Sequence, residues 1–518
     1  MKHAFLFFGI FVLAGCTRNV ATPPAVHAQP ANGCALAAWV MQQKPHTTRT
    51  LEAPPPDLRD TVIMVNGAQH KISIPAGFTM TVFANIPSCR GLTLSPDGVV
   101  YATSYNGNVY ALPDHGHRGV PDSILTVETG LGDPSGIGFV NGELYVSNNA
   151  ALYHLVTPAN SRVATSKLLI ASFSPGGSHT TRNFVFDTAN QKLYVAVGSY
   201  GNMDTTDFAH RARIYEMNPD GSDTVTYASG IRNAEGLDFD PRTGALWANC
   251  NGMDNIFGAG DPRTNDNPSE CIYLICKGAN YGWPWCYGFQ MRNPTPPWAN
   301  LDTNIVKTFD GPVAEVLAHS APLGLHFYRG TKFPAPYHDA IFQCYHGSWD
   351  RTPPAPPRIT VMFADTDGKN ARVTDFVNGF QPDSSGNRWG RVVQIIEGAD
   401  SCLYVSDDDA GVIYRIAYTG VESGVSETSE ARVFQISDPV PNPSRNELEV
   451  QITLSTPAPV QAELYDVLGN EVQSLIDSDL PSGNYPLIIS TQGLAAGTYT
   501  LRVSSGGEVV SRRVVIER

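Results

Sequence analysis

The sequence predicts an all-β protein, a six-bladed β-propeller followed by a small immunoglobulin-like β-sandwich. Three observations carry this. A unit made of a small turn, an alternating strand, a hairpin and a second strand with an aromatic residue recurs about six times. Gly (47) and Pro (39) are spread along the whole chain, as turns between many short strands require, and no long helical periodicity interrupts them. The composition changes near residue 421, and a second, shorter run of alternating segments follows.

The elements come in this order. Residues 1–16 read as a targeting segment: Lys2 and His3 precede a short apolar run, which ends in Leu13-Ala14-Gly15-Cys16. That tetrapeptide reads as a lipobox in which Cys16 would receive a lipid anchor; the other reading is an ordinary secretory signal. Residues 17–64, rich in Pro, Ala, Thr and Gln, read as a tether. Residues 65–420 hold the repeats, which open at Gly91, Gly136, Asn183, Gly236, Gly324 and Arg391. One blade alone cannot bury both of its faces, whereas a closed ring of blades can. The longer spacings of the fourth and fifth units leave room for loops, where function usually sits. Residues 421–432 are a polar linker, and 433–518 alternate with period two, as a sandwich does.

The formal net charge is −14. Nucleic acid and anionic membrane surfaces need a basic footprint, so neither is an expected partner. Apart from Cys16 there are eight cysteines. Cys250, Cys271, Cys276 and Cys286 crowd one segment, which suggests one or two local disulfides. No Cys-x-x-Cys is present, so neither a zinc ribbon nor a c-type haem is expected. No Gly-x-Gly-x-x-Gly opens a βαβ unit, which disfavours a nicotinamide cofactor.

Two families resemble this chain. The C-terminal segment carries Pro439-Val440-Pro441-Asn442-Pro443, Tyr465-Asp466-Val467-Leu468-Gly469 and Leu494-Ala495-Ala496-Gly497-Thr498-Tyr499. It is similar to the type A sorting domain of the type IX secretion system. That implies the secretion machinery as a partner, and a secreted or surface-associated product of a Bacteroidetes-like cell. Across roughly 72–418 lie His179-Thr180-Thr181-Arg182-Asn183, Gly230-Ile231-Arg232-Asn233-Ala234-Glu235, His319-Ser320-Ala321-Pro322, His346-Gly347-Ser348-Trp349-Asp350-Arg351, Trp389-Gly390-Arg391 and Ser406-Asp407-Asp408. In that order they resemble the glucose/sorbosone dehydrogenase family, in its L-sorbosone dehydrogenase-like branch.

This second resemblance implies pyrroloquinoline quinone (PQQ) and Ca2+ as cofactors, a small sugar-like substrate and an external electron acceptor. An aldose would give a lactone, and a hydrated aldehyde an acid. His179 matches the family's catalytic base, and its ordinary pKa suits proton transfer at neutral pH. PQQ carries three carboxylates, which the fork of Arg binds well. Arg232, Asn233, Arg351 and Arg391 are therefore expected on the cofactor, with Arg90 and Arg182 beside them. Gly252 and Met253 would offer backbone carbonyls to calcium, and Asp254 a carboxylate. Ser178 stands where the glucose branch has an acidic residue, so the partner that orients His179 is open. His319 and His346 read as loop-packing residues, and the Tyr281-Gly282-Trp283-Pro284-Trp285 run as blade packing. Two other readings stand beside this one: a calcium-dependent lactonase on the same scaffold, and a non-catalytic binding propeller.

Overall fold

A computed structural model describes residues 57–348, 350–420 and 434–517, with gaps at 438, 467–469 and 506–507. The targeting segment with Cys16, the tether up to residue 56 and the linker at 421–432 lie outside the described residues. Two compact units divide the chain at residue 418.

In the first unit, six four-stranded antiparallel sheets follow one another. Their innermost strands are Cys89–Leu94, Ile137–Val140, Phe184–Asp187, Ala234–Phe239, Pro322–Phe327 and Val392–Glu397. Each innermost strand touches the next, and the sixth touches the first, so the sheets form a closed ring. A repeat that alternates with period two buries both faces of each sheet when the neighbouring sheets cover them. The sixth sheet is assembled from both ends of this unit: Val412–Tyr418 pairs with Phe78–Asn85, with Ile416 opposite Met80. Reading the repeats from Gly91 leaves this closing strand unassigned.

Aromatic residues bridge successive sheets edge to face. Tyr101 meets Phe139 with centroids 5.2 Å apart, Tyr194 meets Phe239 at 5.7 Å, and Trp247 meets Phe327 at 5.8 Å. Each such pair contributes about 0.5–1.5 kcal/mol beyond its buried area. Backbone approach is equally close. A Cβ on Gly236 would lie 2.2 Å from the Leu323 carbonyl oxygen and 2.6 Å from the Leu325 nitrogen, so only glycine lets the fourth sheet meet the fifth.

Strand Leu58–Val65 pairs with Ala68–Pro75 across an Asn66-Gly67 turn with both φ positive, the geometry that matches strand twist. Its Ile63 and Val65, with Ile72 and Ile74 of the partner strand, join the core around Phe78, Phe376 and Phe380. The first described strand, Leu58–Val65, thus falls mostly within the residues read from sequence as the tether. Helix is limited, among the described residues, to Thr303–Val306 and three short 3-10 turns. The all-β expectation is borne out.

The cysteine expectation is not. Cys250 and Cys271 face each other on paired strands, yet both are free thiols, as is Cys286. Cys276 is disulfide-bonded, and its partner is none of these three.

The second unit has a three-stranded sheet and a four-stranded sheet that share one core. Glu447–Leu454 alternates exposed and buried residues strictly, sending Leu448, Val450 and Ile452 inward against Val460, Leu464 and Leu501.

Candidate active site

The residues singled out by sequence cluster at one end of the innermost strands. Arg90 lies in the first, while Arg182, Arg232-Asn233 and Arg391 immediately precede the third, fourth and sixth. Ring closure therefore brings them to one mouth. A small axial cavity is lined by residues in or just before the innermost strands of all six sheets, among them Arg90, Ser135, Thr181, Glu235, Leu323 and Val393.

His179 sits half-buried at this mouth. Its Nδ1 is 3.0 Å from the Ser199 carbonyl oxygen and 2.9 Å from Ser199 Oγ. A carbonyl only accepts, so Nδ1 carries the hydrogen and Nε2 is left with a free lone pair. Burial depresses the imidazole pKa to about 3. Arg232, Arg211 and Arg182 reinforce that direction, and the hydrogen bond to Ser199 opposes it. The ring is thus neutral at pH 7 and competent as a base. Ser199, whose residue type in a loop carries no signature, takes the orienting role that Ser178 leaves open. Ser178 itself hydrogen-bonds to the Tyr200 carbonyl.

Two buried arginines brace the segment that carries His179. Arg182 donates to the carbonyls of His179, Thr181 and Ser174. Arg211, which sequence reading missed, donates to those of Ser174, Pro175 and Gly176. Burial and Arg211 together lower Arg182 to about 10. Gly198 completes the platform: a Cβ there would lie 2.4 Å from Asn233 Oδ1 and 2.7 Å from His179 Cβ. Asn233 donates to Glu235, which also accepts from Thr181. The Asn233 Oδ1 is buried with no hydrogen-bond partner.

Arg232 reaches the Asn202 carbonyl and side chain and, at 2.9 Å, Asp254. Asp254 in turn accepts from Asn202 through its carbonyl. The Gly252 amide is held by buried Glu270. Among the described residues, the carbonyls of Gly252 and Met253 receive no hydrogen bond, as free calcium ligands would require. The Met253 side chain is buried against Ile256 and Trp283. Trp283 and Trp285 are themselves buried, in keeping with the packing role read from sequence.

Across the mouth, Arg90 pairs with Asp408 at 2.8 Å and lies over the Tyr105 ring. His346 contacts the other oxygen of Asp408 at 2.9 Å, and burial drives its pKa down to about 4. Arg391 uses Nε on the His346 carbonyl, while its two Nη groups have no partner among the described residues. Burial, then neighbouring Arg388, lowers Arg391 to about 10. Arg351 turns elsewhere: it reaches the Asn265 carbonyl and, at 3.3 Å, Asp266.

On a chain of net charge −14, one mouth thus gathers Arg90, Arg182, Arg211, Arg232 and Arg391 around a neutral imidazole. With unpartnered Nη groups on Arg391, the donor set fits a small polycarboxylate.

A family model described as TrAA12-like matches residues 123–419, and one described as a secretion system C-terminal sorting domain matches 440–517. An uncharacterized protein of Borreliella burgdorferi is 30% identical over 361 residues, covering 67% of this chain and 91% of that protein. A pyrroloquinoline quinone-dependent sugar dehydrogenase of Hypocrea jecorina is 23% identical over 269 residues, covering 44% of this chain and 61% of its own. Among solved structures, the calcium structure of a Trichoderma reesei carbohydrate-active enzyme of family AA12 has a TM-score of 0.59 at 17% identity. It covers 72% of this chain and 99% of that one.

Proposed function

We infer the function from a premise that the family matches establish: the chain belongs to the TrAA12-like family and carries a type IX secretion sorting domain. Its relatives include PQQ-dependent sugar dehydrogenases, which supports an oxidoreductase, and the sorting domain supports export to the cell surface or beyond. The finer proposal is a six-bladed β-propeller with an immunoglobulin-like sorting domain, which uses PQQ and Ca2+ to oxidise an aldose to a lactone or a sugar aldehyde to its acid. The single observation that carries it is the arginine-lined mouth around His179 with its Nε2 lone pair free.

When bound, PQQ supplies a quinone carbon that accepts hydride, and Ca2+ the Lewis acidity that makes that carbon electron-poor. The residues of the chain do the rest. His179 Nε2 takes the substrate hydroxyl proton while Ser199 holds Nδ1–H and fixes the ring. Arg391 and Arg90 would hold cofactor carboxylates, and Arg232 and Asn233 the polar groups nearest His179. Arg182 supports that side through the backbone, and Arg351 would reach the mouth only by leaving Asn265 and Asp266. The carbonyls of Gly252 and Met253, with Asp254, would ligate calcium. Burial, with Arg232, Arg211 and Arg182, makes the free imidazole a weak base, and an anionic cofactor held in the same mouth would offset that field and raise its proton affinity.

An external acceptor must reoxidise the enzyme. Cys16 would carry the lipid in a surface-anchored form. The test is dye reduction by the full chain with a panel of aldoses and sugar aldehydes. Turnover that needs both PQQ and CaCl2 supports the proposal. Lactone hydrolysis that needs calcium alone would establish the lactonase reading instead. Absence of PQQ binding together with absence of any turnover would leave a binding propeller.

A further inference from the structure

Three loops of the first unit converge beside Arg232 on three side chains: His319 and Asp350, which have no place in the proposed quinone and calcium sites, and Asp254, which the calcium site shares. Asp254 follows the second strand of the fourth sheet, Leu246–Cys250. His319 precedes the first strand of the fifth sheet, and Asp350 follows its second, Ile341–Tyr345. One ligand atom from each residue lies within 4.8 Å of the other two.

The hydrogen-bond geometry is what makes this trio informative. His319 Nε2 is 2.6 Å from the Thr264 carbonyl oxygen and 3.2 Å from that of Asn267. Both are acceptors, so Nε2 carries the hydrogen. Nδ1 is then the atom that faces Asp350 Oδ2 at 3.4 Å and Asp254 Oδ1 at 3.9 Å. The Asp350 side chain is only 5% exposed, and neither of its oxygens has a hydrogen-bond partner among the described residues. Leaving a buried carboxylate in that state is costly unless a cation compensates it. Asp254 keeps its other oxygen, Oδ2, on Arg232 at 2.9 Å, so Oδ1 is the one available.

We propose that Asp254, His319 and Asp350 form a binding site for a divalent transition-metal ion, of the Zn2+ or Mn2+ class, at the rim of the mouth. Ligand identity sets the class: an imidazole with two carboxylates suits first-row transition ions, whereas calcium takes oxygen ligands throughout. The spacing agrees. Ligands at about 2.1 Å from a tetrahedral ion lie about 3.4 Å apart. The Thr264 and Asn267 carbonyls hold the ring as outer partners of a metal-bound histidine do, fixing the tautomer that offers Nδ1. Loops bearing Asp254 and Asp350 would be tied together through the ion, and Arg232 would share Asp254 with it. The site shares Asp254 with the proposed calcium site and goes beyond the quinone reading, on which its test does not depend.

The test needs no quinone and no substrate. The full chain is stripped with EDTA, titrated with ZnCl2 and separately with MnCl2 by calorimetry, and its metal content is measured after desalting. One equivalent of Zn2+ or Mn2+ is expected, retained in excess CaCl2, with affinity at least tenfold lower in Asp350→Asn and in His319→Gln. CoCl2 loading of the unmutated chain is the second measurement, should a variant not fold: visible d–d bands of a tetrahedral or five-coordinate ion are expected. No uptake above background, uptake undiminished in both variants, or the absence of those bands would overturn the proposal in favour of an imidazolium between two carboxylates.

Discussion

On the His179 side of the mouth, Arg182 and Arg211 direct most of their Nη hydrogen bonds to backbone carbonyls between Ser174 and Thr181. On the Asp408 side, Arg391 makes one side-chain hydrogen bond, through Nε, and keeps two Nη groups without partners among the described residues. The residue type is the same, but the work differs. A guanidinium whose Nη groups face backbone carbonyls builds a platform, whereas one whose Nη groups are left without partners in a half-buried position is poised for an anion. The platform side carries His179, the proposed base, and the other side is where cofactor carboxylates would dock.

The largest expected effect breaks this comparison at the base. His179→Ala should lower kcat by about 10^2–10^4, the range for removal of a general base, while the PQQ dissociation constant, read by fluorescence quenching, changes less than tenfold. Next comes the titration of the base. Its folded pKa lies below the unfolded value, so the unfolded chain binds the proton first. This group therefore costs stability progressively as pH falls from about 6.5 towards 3 and contributes nothing to pH dependence above that window. Histidine NMR on the cofactor-free chain should show His179 titrating below pH 5, and on the PQQ complex at a higher pH.

Arg211→Met should act on the platform. It strands buried carbonyls, each costing about 1–3 kcal/mol, so thermal melting should drop by several degrees with only a small change in PQQ affinity. Arg391→Gln should show the opposite pattern: an unchanged melting temperature and PQQ binding weakened about 10- to 100-fold, as loss of a charge-assisted bond predicts. If both variants shifted the same quantity, the division between the two sides would be wrong. The smallest effect is that of Ser199→Ala. The Ser199 carbonyl still accepts from Nδ1, so kcat should fall only about three- to tenfold with KM unchanged.

Much of this was legible in the sequence, where chemistry depends on residue type in a local frame. The hairpin repeats gave the strands, and the positions of Arg90, Arg182, Arg232 and Arg391 at strand starts gave the mouth. The rest depends on contacts made across long separations. Strand Phe78–Asn85 pairs with residues more than 300 positions away, which no local period announces. Ser199 and Arg211 are ordinary loop residues until folding turns them onto His179. The cysteine crowding misled because closeness in sequence does not orient sulfurs: Cys250 and Cys271 are register partners and still unbonded. His319 read as packing because its motif cannot show that Asp254 and Asp350 arrive on the same side of the ring.

The central claim is that His179 removes the substrate proton within a quinone-loaded mouth. It is tested most directly by anaerobic single-turnover mixing of the PQQ- and Ca2+-loaded full chain with an aldose, followed by absorbance of the bound quinone. Rapid reduction in the unmutated chain, and reduction slower by at least a hundredfold in a His179→Ala variant with equal PQQ occupancy, is the predicted result. Equal rates in the two proteins would contradict the account, because the base would then have to lie elsewhere in the ring.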